Sequence, residues 1–197
     1  MENNKKNIIV YTIVAVVVVA VVVYALMSGV GTKSTVEQGA VGEKTDQGTV
    51  TEKGIVAAPG TSPISTSTGE VVTPEGKVTK NDTIPGTPEA PQQSNPVSPE
   101  ALPSAAIKLE VSGSGYSPNQ FTVKAGAPVT LSVTATDNQT HIFMFDDPSL
   151  SAVAIGVAPK ETRAITFNAP TKKGEYSFKC DVPGHAGRGE TGKMIVN

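Results

Sequence analysis

A chain of 197 residues that is 38% hydrophobic but only 5% aromatic has material for one modest core. Its formal net charge of -2 lacks the basic excess of a nucleic-acid binder. A single Cys excludes an intrachain disulfide, and that Cys and the only two His, at His141, Cys180 and His185, are all late in the chain.

Residues 8–27 carry no charge and consist largely of Val, Ile and Ala, about the length that crosses a hydrocarbon core of roughly 30 Å. Lys5 and Lys6 precede this run, so the positive-inside rule keeps the N-terminus cytoplasmic and exports everything after Met27. A cleaved signal peptide has a shorter apolar region ending at a small-x-small site, which Ala25-Leu26-Met27-Ser28 matches poorly. Residues 1–30 therefore read as one transmembrane helix that anchors the protein in the cell membrane, single-pass, with its C-terminal domain extracytoplasmic.

From 31 to 104 the chain is Thr, Ser, Gly, Glu, Val and Pro, without one aromatic residue. Such a stretch has too little apolar surface for a core of its own and is expected to be a disordered linker. As a flexible coil it spans on the order of 50 Å.

After Ala105 short alternating apolar runs are broken by Gly, Pro and Asn turns, the pattern of an all-β sandwich over residues 105–197. Ile107, Leu109 and Val111 point to one face, as do Phe121 with Val123 and Val129 with Leu131 and Val133. Segments 142–145, 165–167, 176–178 and 194–196 bring the expected number to seven or eight strands.

Cys180 ends one of these strands, and His185 follows it across a Pro183-Gly184 turn, so both side chains aim at one point. His141 heads an earlier strand that Greek-key connections can bring beside that loop. One thiolate and two imidazoles form the ligand set of mononuclear blue-copper sites.

On these residues, together with Tyr116-Ser117-Pro118, the segment 121–126, the segment 174–178 and Cys180-Asp181-Val182-Pro183-Gly184-His185, the domain resembles the cupredoxins, the plastocyanin and azurin family. The resemblance implies a Greek-key cupredoxin-like β-sandwich. It also implies one copper ion cycling between Cu(I) and Cu(II), held by His141, Cys180 and His185. The function implied is single-electron transport between redox protein partners at the outer membrane face, with no enzymatic activity and the exposed edge of His185 as the electron port. Where the family usually has an axial Met this chain has Glu190, so the resemblance makes Glu190 the fourth ligand and leaves Met194 facing the core. A carboxylate is a harder donor than a thioether and favours Cu(II), which lowers the potential and opens a second reading as a copper delivery, buffering or sensing protein. Two His, one Cys and one Glu also form an acceptable zinc set, although copper(II) binds more tightly in the usual divalent order.

Overall fold

The computed structural model describes residues 56–197. The membrane run expected at 8–27 and the first part of the expected linker lie outside these residues. Among the described residues no helix is long and apolar enough to cross a membrane.

Among the described residues nine strands form two facing sheets. In chain order they are β1 (Ile107–Ser112), β2 (Gly115–Ser117), β3 (Gln120–Val123), β4 (Pro128–Ala135), β5 (His141–Phe145), β6 (Ala154–Val157), β7 (Thr162–Asn168), β8 (Gly174–Cys180) and β9 (Thr191–Val196). One sheet runs β2-β1-β4-β7 and the other β3-β9-β8-β5-β6. Pairing is antiparallel except between β1 and β4 and between β3 and β9. The alternation read from sequence sets which side chains face inward: Tyr116, Phe121, Phe143, Phe145, Phe167 and Phe178 fill the space between the sheets, with Leu109, Leu131, Ile165 and Met194 beside them. The expected strands all form. Two short ones, β2 and β6, escaped the reading: β2 has one inward side chain, Tyr116, and in β6 Ile155 and Val157 alternate with Ala154 and Gly156, which mark no polar face.

The linker expectation fails for residues 56–104. This segment lies as an ordered strap against the sheet that contains β4 and β7. Ser94 N–H donates to Ala164 O at 2.8 Å and Val97 N–H to Thr162 O at 2.9 Å, so residues 93–97 run beside β7 and satisfy its outer edge. Thr130 Oγ1 donates to Val56 O, and Asn168 receives Val71 N–H on Oδ1 while donating Nδ2–H to Val71 O. These contacts explain why Thr130, Ser132, Thr162 and Thr166, on the faces of β4 and β7 turned away from the core, are buried. The strap needs only a small cluster of its own, Ala57, Ile64 and Val71, because it rests on a surface supplied by another part of the chain. Its prolines narrow the unfolded ensemble and reduce the entropy lost on ordering.

Candidate metal centre

The order β9-β8-β5 in the second sheet places the end of β8 between the starts of its two antiparallel neighbours. Burial in β8 alternates through Tyr176, Phe178 and Cys180, so the thiol belongs to the inward row. In β5 the same alternation runs through His141, Phe143 and Phe145. Phe143 is in register with Cys180, which sets His141 one inward position further along on the same side. Across β8, Lys179 is in register with Thr191, and Cys180 N–H donates to Glu190 O at 2.9 Å. The loop between them turns at His185 and closes on Gly189, whose φ of 99° suits glycine and directs Glu190 inward. Gly115 lets this loop pass: a Cβ there would sit 2.8 Å from the Gly189 carbonyl oxygen.

His141, Cys180, His185 and Glu190 therefore meet, all buried, with one donor atom of each within 4.8 Å of the others. Cys180 Sγ lies 3.5 Å from His185 Nδ1 and 3.9 Å from His141 Nδ1. Bonds of about 2.0–2.3 Å to a shared ion subtend such separations. Glu190 Oε2 is 2.8 Å from His141 Nδ1 and 2.9 Å from His185 Nδ1. Ile142 N–H donates to the sulfur at 3.3 Å. The only two imidazoles in the chain face each other edge to face at 5.2 Å between ring centres.

The electrostatics of this cluster fit a cation. His141 Nε2–H donates to Asp137 Oδ1 at 2.9 Å, which leaves Nδ1 as a bare lone pair directed at a carboxylate oxygen. Two acceptors that close in a buried centre require a proton or a metal ion between them. Burial pushes the Cys180 thiol up, so capture of a metal displaces its proton. Burial would also raise the Glu190 carboxyl, but the polar groups packed around it, His141, Cys180, His185 and Arg188, hold it below its ordinary value. Asp137 shows the same competition: burial works against its charge, yet His141 and the N–H groups of Gln139 and Gly113 keep its carboxyl at about 2.

All four residues expected to bind metal are brought together, and Met194 is fully buried in the core, away from the donor set, as expected. The surrounding partners Asp137, Gln139 and Arg188 were not anticipated. Their only signal is proximity in sequence, Asp137 four residues before His141 and Arg188 two before Glu190, and charged loop residues at such spacings are ordinarily solvated.

A family model described as cupredoxin-like domain matches residues 91–196. Among curated proteins, chloroplastic plastocyanin of Hordeum vulgare is 35% identical over 91 residues, covering 42% of this chain and 54% of that protein. The Oryza sativa subsp. indica plastocyanin is 36% identical over 94 residues with the same coverage. The chain thus spans about half the length of the curated relatives it matches. Among solved structures, an auracyanin from Roseiflexus castenholzii is 25% identical at a TM-score of 0.42, covering 48% of this chain and 98% of that one. An amicyanin from Paracoccus versutus is 24% identical at 0.40, covering 52% and 92%.

Proposed function

The chain belongs to the cupredoxin-like family, and from that premise we propose that it is a membrane-tethered, extracytoplasmic carrier of single electrons that holds its copper through His141, Cys180, His185 and Glu190. Proteins of this family bind one copper ion, and the four converging donors suit it. When bound, copper supplies a one-electron Cu(II)/Cu(I) couple. The chain's own residues do the rest. The sandwich core fixes Cys180 and His141 on adjacent strands, which limits rearrangement between oxidation states. Full burial of His141 and Glu190 excludes water from one side of the site. The His185 side chain keeps about 10% of its surface exposed, among Val182, Pro183 and Ala186, and offers the one imidazole edge at which a reduced protein partner hands over an electron and an oxidised partner takes it. The charge-free run 8–27 behind Lys5 and Lys6 supports the tether and the extracytoplasmic placement.

The observation that carries this reading is the meeting of a buried thiol, two imidazoles and a carboxylate at one point. Copper-loaded protein is expected to show a thiolate-to-Cu(II) absorption band, lost in Cys180→Ser, and to cycle reversibly between the two oxidation states. Failure to reduce and reoxidise the loaded protein would end the electron-carrier reading. The contact of Glu190 with both imidazoles favours a second reading, copper delivery or buffering at a low-potential site. Glu190→Met separates the two readings: a large rise in potential together with slow metal transfer in the wild type supports the carrier, whereas rapid transfer from the wild type to a chelator supports delivery.

A further inference from the structure

The two oxygens of Glu190 are used differently. Oε2 faces both imidazoles, whereas Oε1 accepts from Arg188 Nη2 at 2.9 Å. The same Arg188 nitrogen donates to Gln139 Oε1 at 3.1 Å, and Gln139 Nε2 donates to Asp137 Oδ2 at 3.2 Å. Asp137 Oδ1 in turn holds His141 Nε2. The hydrogen bonds thus form a chain from Glu190 through Arg188, Gln139 and Asp137 to His141, whose Nδ1 faces Glu190 Oε2 across the site and completes a ring of contacts. This ring ties the loop before β5 to the loop between β8 and β9, which otherwise reach the site from opposite sides of β8.

Resting on the proposed metal site, we infer that Arg188 is a positioning residue: it reserves one oxygen of Glu190, leaves the other for the metal, and through Gln139 latches the two ligand loops against metal release. A free carboxylate offers two equivalent oxygens and can bind through either or both. Here the guanidinium occupies one of them and makes Glu190 a one-oxygen donor. Its geometry suits the task because the two N–H groups of Nη2 point in directions fixed by the guanidinium plane, one to each acceptor, whereas the N–H groups of a lysine ammonium sit on a flexible stem and rotate freely. The Arg188 side chain is 43% exposed, so the latch lies at the surface and is open to a passing chelator or partner. Glu190, beneath it, is fully buried.

The test uses the full chain loaded with Cu(II), as wild type, Arg188→Met, Arg188→Lys and Gln139→Ala. The readouts are the electron paramagnetic resonance and absorption spectra and the rate of copper transfer to a strong chelator. Arg188→Met is expected to change the Cu(II) spectrum and to speed transfer about ten-fold or more, the range that loss of an outer partner produces in metal affinity. Arg188→Lys restores the charge but not the fixed N–H directions; it is expected to regain the wild-type spectrum and still release copper faster. Gln139→Ala, at an exposed position, breaks only the bridge and is expected to speed release with the spectrum unchanged. A spectrum and release rate in Arg188→Met within two-fold of wild type overturn the inference while leaving the metal site standing. Equal release from Gln139→Ala and wild type overturns the latch. A wild type that takes up no copper, or takes it up equally well as Cys180→Ser, overturns both the inference and the site on which it rests.

Discussion

The strap and the sandwich are both well ordered, but they are held by different means. Between the sheets the packing is aromatic: Phe178 stands 4.8 Å from Phe143, 5.2 Å from Tyr116 and 5.8 Å from Phe121 between ring centres. The strap's buried apolar residues are all aliphatic, with Ala57, Ile64 and Val71 in one cluster and Ala58 and Leu102 against Ala164 in another. Its other attachments are hydrogen bonds, to the threonines, Asn168 and backbone of β4 and β7 and also to Ser151, Ala152 and Gly156. A segment held in this way is determined by the surface it covers, and its stability is expected to fall in the low range of the molecule. The four proposed metal donors all belong to the aromatic part, so loosening the strap is expected to leave them undisturbed.

The sharpest way to break that distinction is to damage each part and read the other. Phe178→Ala removes the ring shared by Tyr116, Phe121, Phe143 and Phe145, two residues before Cys180, and is expected to cost about 3–5 kcal/mol. It should lower the melting temperature of the whole domain and weaken copper uptake together, as measured by calorimetry and copper titration. Ile64→Ala, in the strap, leaves a cavity in its cluster with Ala57 and Val71 and is expected to cost about 2–4 kcal/mol. That cost should appear as faster amide exchange across residues 57–97 with copper titration unchanged. If Ile64→Ala weakens copper uptake as much as Phe178→Ala does, the two parts form one cooperative unit and the distinction fails.

The same contrast decides what the sequence could disclose. Alternation at Leu109 and Val111, at Val129 through Val133 and at Tyr176 through Cys180 is enforced by a two-faced sheet and is visible in the chain itself. The proposed donor set was legible for a similar reason, since the scarcity of Cys and His left few alternatives, and the resemblance pointed to Glu190 as the fourth member. The strap was not legible, because composition reports whether a segment can build a core and says nothing of a surface elsewhere that will receive it. Thr130, Ser132, Thr162 and Thr166 were the available signal, polar residues that a solvated face would equally contain. Asp137 and Arg188 stayed hidden for a related reason. Their partners, His141 and Glu190, become neighbours only after β5, β8 and β9 pair.

The smallest expected effect examines the strap's attachment bond by bond. Asn168 closes a two-way pair with Val71, accepting its N–H at 2.8 Å and donating to its carbonyl at 3.2 Å, and its own carbonyl accepts from Asn81 Nδ2 at 2.7 Å. Asn168→Ala removes the first two bonds and leaves the third, which belongs to the backbone. Val71 is fully buried, so its N–H loses a partner that water does not readily replace, and the expected cost is about 1–2 kcal/mol. Native-state hydrogen exchange should localise that cost to Val71, Val72 and Thr79, whose amides sit in the turn that Val71 anchors, while the amides of β8 keep their protection. An equal loss of protection in β8 would mean that the hydrogen-bonded strap opens only when the aromatic core opens, and that its coverage of β4 and β7 is part of what holds Cys180 in place.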